Sequence, residues 1–162
     1  MTGSTEPSLA RRGVRLTPDD AWEAIEQSHT GILTTLRKDG TPIALPVWFV
    51  VIDRRIYMTT PSGTKKVSRV RRDARASFLV ESGERWAELK AVHLTGRATV
   101  VTSDDHLLAR VDAAHAEKYA AFRTTSTKMP AATRQHYAQE RAIVRFEPDE
   151  RILSWDNSRL FA

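Results

Sequence analysis

The sequence contains no cysteine, which excludes disulfides, a thiol nucleophile and zinc–thiolate sites. No apolar run approaches the roughly 20 residues needed to span a bilayer, so no membrane-spanning helix is expected. Aromatic residues amount to only 7%. None interleaves with the main basic run, which argues against single-stranded nucleic acid, whose bases stack on rings. The histidines (His29, His93, His106, His115 and His136) include no pair four apart, so no helical metal site is expected. His115-Ala116-Glu117 superficially matches part of a zinc deaminase pattern, but without cysteine that site cannot be completed. There is no Gly-x-Ser-x-Gly elbow and no glycine-rich nucleotide loop. No side chain therefore stands out as catalytic.

What is present fits one globular domain: 162 residues, 41% hydrophobic and 28% charged. Residues 1–14 read as a disordered tail ahead of a domain over 15–162, because Met1 to Arg12 is small and polar and lacks a signal-peptide core. A cytoplasmic location is the default. The net charge is +5, and its placement matters more than its size. Lys65, Lys66, Arg69, Arg71, Arg72 and Arg75 stand together against one acid, Asp73, so this stretch alone accounts for the whole excess. A concentrated charge suggests one anionic ligand, whereas a globally basic surface would suggest nucleic acid.

Thr17-Pro18-Asp19-Asp20 opens a helix that ends near Ser28, with Trp22 and Ile25 on its apolar face. Strands are expected over Gly31–Leu36, over Pro42–Ile52 with an edge or bulge at Pro46, and over Ile56–Thr60. Further strands are expected over Ala76–Val80, Trp86–Val101 with a bend at Gly96, Arg141–Phe146 and Arg151–Trp155. Ser103-Asp104-Asp105 caps a helix reaching Tyr119 or Phe122, and Pro130–Ala138 forms a shorter one. Trp48, Trp86 and Trp155 read as barrel-core residues, and His93 as a structural residue with its hydrogen bonds satisfied. Six or seven strands in hairpin order with helical additions fit a mainly β protein closed into an antiparallel barrel, which removes exposed edges.

The basic run breaks a local rule. Ser62, Gly63 or Thr64 should cap a helix over Lys65–Arg72 with Val67, Val70 and Ala74 facing the core. Helix N-termini carry free N–H groups and positive dipole charge, so acids belong there. Lys65 and Lys66 stand there instead, and a bound phosphate would resolve the conflict.

The ordered segments Gly31-Ile32-Leu33-Thr34-Thr35-Leu36, Leu45-Pro46-Val47-Trp48-Phe49, Tyr57-Met58-Thr59-Thr60, Lys65-Lys66-x-x-Arg69, His93-Leu94-Thr95-Gly96-Arg97-Ala98 and Ser154-Trp155-Asp156 together resemble the flavin- and deazaflavin-binding split β-barrel family that includes pyridoxamine 5′-phosphate oxidase. The resemblance covers about Thr17 to Phe161 and implies a homodimer with cofactor sites at the subunit interface. It places Pro46, Val47, Trp48 and Phe49 along the cofactor ring system, and Thr59 and Thr60 along its ribityl chain. Ser62, Thr64, Lys65, Lys66 and Arg69 would hold its phosphate, with Lys66 the best match to the family's phosphate lysine. It also implies that Trp86 or Trp155 reaches the partner's cofactor. The arginine-rich C-terminal segment of the true oxidase has no counterpart after Arg151, which argues against pyridoxamine phosphate oxidation. The chain is similar to the short actinobacterial branch, and the surplus of Arg69, Arg71, Arg72 and Arg75 suits coenzyme F420, a longer polyanion, better than FMN. The resulting expectation is an oxidoreductase that moves a hydride between reduced F420 and a small planar substrate. FMN-dependent chemistry, a cofactor-binding protein without turnover and a basic nucleic-acid-binding barrel are the alternatives.

Overall fold

The computed structural model describes residues 13–102 and 104–161. Of the tail expected over residues 1–14, Met1–Arg12 lies outside them, as do Ser103 and Ala162, while the Val14 carbonyl accepts the Asp156 N–H at 2.7 Å. Helix α1 spans Pro18–Gln27. Its cap is the one the sequence implies: the Thr17 hydroxyl accepts the Asp20 N–H at 3.1 Å, and Pro18 fills a position whose N–H needs no helical partner. Ala21, Trp22 and Ile25 form its buried face.

Seven strands follow: β1 Thr30–Leu36, β2 Pro42–Trp48, β3 Val50–Ile52, β4 Arg55–Pro61, β5 Arg75–Ser82, β6 Lys90–Val101 and β7 Arg141–Asp156. Helix α2 (Lys65–Arg72) links β4 to β5, and α3 (Asp105–Lys118) and α4 (Ala131–Tyr137) lie between β6 and β7. The strands form one sheet in the order β2-β1-β5-β6-β7-β4-β3, antiparallel throughout. Its two edges, β2 and β3, are joined in the chain by the single residue Phe49. Such a sheet must curl until its edges meet, so the fold is a barrel split along one seam.

The inward faces pack around Phe49, Phe78 and Phe146, with Leu33, Ile56, Met58, Leu94 and Val144. A second cluster of Val50, Tyr57, Val111, Tyr119 and Ile143 lies beneath α3. Gly31 is required by this packing, because a Cβ there would sit 2.2 Å from Phe78 Cζ. β2, β1, β5, β6 and the second half of β7 turn one face away from the barrel interior. Paired positions Pro46, Ile32, Leu79, His93 and Leu153 run across that face as one row. Trp48 and Trp155 also stand exposed. Among the described residues no helix is long and apolar enough to cross a membrane.

Several expectations are corrected. The break in the second strand falls at Phe49, while Pro46 sits within β2, tolerated because β2 is an edge. Residues Trp86–Glu88 form a 3-10 turn rather than strand. The last two expected strands are one, continuous through Pro148, which pairs opposite Gly96 beside a register shift. Ala74 lies beyond α2, where its carbonyl accepts the Ala98 N–H. Trp48, Trp86 and Trp155 are exposed at 38%, 63% and 37%; Trp22 is the buried tryptophan. The His93 imidazole has no hydrogen-bond partner among the described residues, while its backbone lies in the β5–β6–β7 ladders.

Candidate functional site

The β4–α2 connection is built from small hydroxylic residues because the chain turns there against another segment. Thr64 N–H donates to Pro61 C=O at 3.2 Å, and Ser62 N–H donates to Glu140 C=O at 2.8 Å. Thr64 is the N-cap of α2, yet its hydroxyl accepts no helix N–H; it lies 3.4 Å from the Thr60 hydroxyl instead. The first turn of α2 therefore keeps its free N–H groups and its positive dipole end without an internal acceptor.

The cations around this turn are uncompensated. Among the described residues Arg75 pairs with Asp73 at 2.8 Å, and no carboxylate lies within ion-pair range of Lys65, Lys66, Arg69, Arg71 or Arg72. Arg75 thus leaves the set that sequence reasoning assembled: its guanidinium holds the Asp73 carboxyl at about 2. Lys66 is half-buried, and the loss of water around its ammonium, with Arg69 nearby, lowers its pKa. Burial also lowers that of Arg69, followed by repulsion from Arg37 and Arg72. Arg69 is oriented by its Nε–H, which donates to the buried Thr35 hydroxyl at 2.8 Å. Arg72 donates to the Leu36 carbonyl at 2.7 Å. These two bonds fasten α2 across the end of β1 and aim a cluster of positive charge at one place.

The residues expected along the ring separate by strand alternation. Val47 and Phe49 point into the core, and Pro46 and Trp48 point outward. One face of Trp48 is covered by Tyr119, whose ring is stacked at 4.3 Å and 7°. Thr59 and Thr60 likewise face opposite sides of β4, and it is Thr60 that is buried beside Thr64. Because β2 is an edge, every second residue turns its N–H and C=O away from β1 toward the seam. Those groups suit the imide edge of a flavin or deazaflavin ring. The unused helix N-terminus, the unpaired Lys66 and the Thr60–Thr64 hydroxyls suit a phosphate.

Sequence reasoning missed four participants. Thr35 orients Arg69, Arg37 joins the cation cluster, and Gln139 lies beside Gly63. Tyr119 braces the joint between β2 and β3: Phe49 N–H donates to its hydroxyl at 2.7 Å. The cation-rich turn Arg37-Lys38 was a usable signal for the second of these. The others depend on contacts between distant segments and left none.

Two clefts open on the surface. One of about 610 Å³ is lined by Trp22, Ile152 and a rim of arginines and acids. The other, of about 460 Å³, includes Ile32, Pro46, Leu79 and Ala91 and so borders β2 on the outer face.

Residues 17–154 match the family model described as Pyridoxamine 5′-phosphate oxidase. No curated protein matches the sequence. Among solved structures, a conserved hypothetical protein from Mycobacterium tuberculosis is 29% identical with a TM-score of 0.76, over 93% of this chain and 91% of that one. An FAD-binding protein from Mesorhizobium loti is 19% identical with a TM-score of 0.67, over 88% and 97% of the two chains. An FAD binding protein from Mycobacterium smegmatis is 21% identical with a TM-score of 0.59, over 86% and 95%. At these last two identities the likeness concerns the fold.

Proposed function

The chain belongs to the pyridoxamine 5′-phosphate oxidase family, and on that premise we propose that it is an oxidoreductase holding a flavin-type cofactor along the barrel seam. The observation that carries this reading is the uncompensated charge at α2: Lys65 and Lys66 stand in its first turn, beside the Thr60–Thr64 hydroxyls, and Arg69 one turn on, with no carboxylate among the described residues in ion-pair range of them. In this reading Ser62, Thr64, Lys65, Lys66 and Arg69 bind the phosphate and Thr60 lies beside the ribityl chain. Pro46 and Trp48 border the ring with their side chains, and Val47 and Phe49 shape its path through the backbone. Thr59, on the opposite face of β4, acts only through its backbone. The cofactor supplies the two-electron chemistry when bound; the chain anchors it and excludes water from one face.

For the cofactor itself we favour F420, with a hydride passing from its reduced form to a small planar organic substrate. Arg37, Arg71 and Arg72 add positive charge beyond what one phosphomonoester uses, and F420 extends past its first phosphate as an anion. FMN is the second reading, favoured by the family's own description and by two structural relatives whose names say that they bind FAD. We place the second copy of a homodimer on the outer row of exposed Pro46 and Leu153 and half-buried Ile32, Leu79 and His93, which would enclose the ring, and the protein in the cytoplasm.

Tryptophan fluorescence of the purified protein, titrated separately with F420 and FMN, tests this. Reversing a charge at a phosphate contact removes one attraction and adds a repulsion, so Lys66→Glu should weaken the preferred cofactor by roughly 30- to 100-fold. Binding of neither cofactor, or equal binding by Lys66→Glu, would refute the reading. Tight binding without turnover with any acceptor would reduce it to a cofactor-binding protein.

A further inference from the structure

Tyr119 lies outside every segment discussed for the cofactor, yet it governs the joint on which that site depends. The β1–β2 ladder ends at the pair Thr30 and Trp48, so the next rung would pair His29 with Phe49. The Tyr119 hydroxyl occupies that rung. Phe49 N–H donates to it at 2.7 Å. Its own proton lies between the carbonyls of His29 at 2.7 Å and Phe49 at 2.8 Å. Phe49 is fully buried, so water cannot replace the phenol there. Burial raises the Tyr119 pKa to about 12, which keeps the proton in place at any working pH.

The same ring fixes a side chain. Trp48 lies flat on Tyr119 at 4.3 Å, and His115 packs against Tyr119 at 4.6 Å. Arg123 in turn approaches His115 Nδ1 at 3.4 Å. The outward-facing indole, the edge of β2 and the start of β3 are thus all set by one residue at the end of α3. None of these contacts involves the phosphate turn.

Building on the cofactor reading above, we propose that Tyr119 is a positioning residue for the cofactor ring: its hydroxyl holds the Val47–Trp48–Phe49 stretch open at the seam, so that the β2 edge and the free face of Trp48 receive the ring, while the phosphate is anchored independently at α2. Ring and phosphate affinity should then separate on substitution. A merely structural tyrosine would instead lower both together.

The test uses the full chain and Tyr119→Phe, which keeps the stack and removes the hydroxyl. Each form is titrated with FMN and F420, with riboflavin and the phosphate-free deazaflavin riboside as ring probes, and with inorganic pyrophosphate as the anion probe. Tyr119→Phe should weaken the ring probes by about tenfold and pyrophosphate by less than about twofold, and Lys66→Glu should do the reverse. Unchanged ring affinity, or an equal fall for both probes, overturns the proposal. If the wild type binds no ring probe at all, the cofactor reading fails first and takes this one with it.

Should Tyr119→Phe not fold, fluorotyrosine labelling of the wild-type sequence answers the same question, because the chain has three tyrosines (Tyr57, Tyr119 and Tyr137). The Tyr119 fluorine resonance should shift with riboflavin or the deazaflavin riboside and stay still with pyrophosphate. A resonance that ignores the ring probes overturns the proposal.

Discussion

Lys118, at the last turn of α3, holds its ammonium 4.0 Å above the centre of the Phe49 ring and forms no ion pair with a described carboxylate. Burial lowers its pKa from 10.5 to about 8, opposed only by the distant charge of Glu26. A displacement of that size corresponds to about 3 kcal/mol against the charged form. Part of the side chain remains in water, and the aromatic face attracts the cation, so about 1–2 kcal/mol is a realistic cost. The sign follows from a base whose folded pKa is depressed. Below about pH 8 both states carry the proton and the full cost is present. Between about 8 and 10.5 the unfolded chain binds a proton that the folded chain has lost, so stability rises with pH. Above that window both are neutral and the cost is gone.

Lys118→Met should accordingly unfold at higher urea than wild type at pH 7, by about 1 kcal/mol. The difference should shrink steadily from pH 8 and vanish near pH 10.5. Equilibrium urea unfolding of both proteins at matched pH values measures it, and the subtraction cancels other titrating groups. A difference that is independent of pH, or a variant less stable than wild type at pH 7, would refute the reasoning.

Gly31→Ala should lose about 2–3 kcal/mol in thermal or urea unfolding, because its Cβ meets the fully buried Phe78 ring at 2.2 Å. Leu153→Glu, on an exposed position of the outer row, should convert a homodimer to a monomer on size-exclusion chromatography with light scattering, without altering the circular dichroism of the fold. Arg71→Ala removes an exposed cation with no partner among the described residues. It should weaken F420 by about threefold to tenfold and FMN by less than about twofold in the same fluorescence titration. Equal losses would place Arg71 outside the region that distinguishes the two.

The parts legible in the sequence were those governed by neighbours in the chain. Thr17 and Pro18 announce α1 because capping is settled within four residues, and Gly96 marks the register shift where β7 bulges opposite β6, because no side chain fits against Glu147. The run from Lys65 to Arg72 is a helix with Val67 and Val70 inward, as its spacing requires. The family resemblance fixed the split barrel, which hairpin logic alone would have drawn with the wrong neighbours: β1 pairs β5 and β4 pairs β7. What stayed hidden depends on distant partners. Tyr119 meets Phe49 from 70 residues away, and nothing near either residue signals it. Arg75 was counted as a free cation although Asp73, two positions before it, binds it. Trp155 stands exposed on the outward side of β7 and Trp86 in a 3-10 turn between β5 and β6, and both positions depend on how distant elements pack rather than on the strands' own pattern.

The pairing of β4 with β7 also constrains the order in which the sheet can be completed as the chain leaves the ribosome. The β1–β2 and β3–β4 hairpins are available once the first 61 residues have emerged. The second edge of β4, however, pairs only with β7, whose matching residues lie 80 to 90 positions further along. Throughout synthesis of the intervening chain, the nascent protein carries a half-built sheet with an unsatisfied strand edge. Chains truncated before Arg141 should therefore aggregate rather than accumulate as folded fragments, because the free edge of β4 stays unpaired until its β7 partners are made.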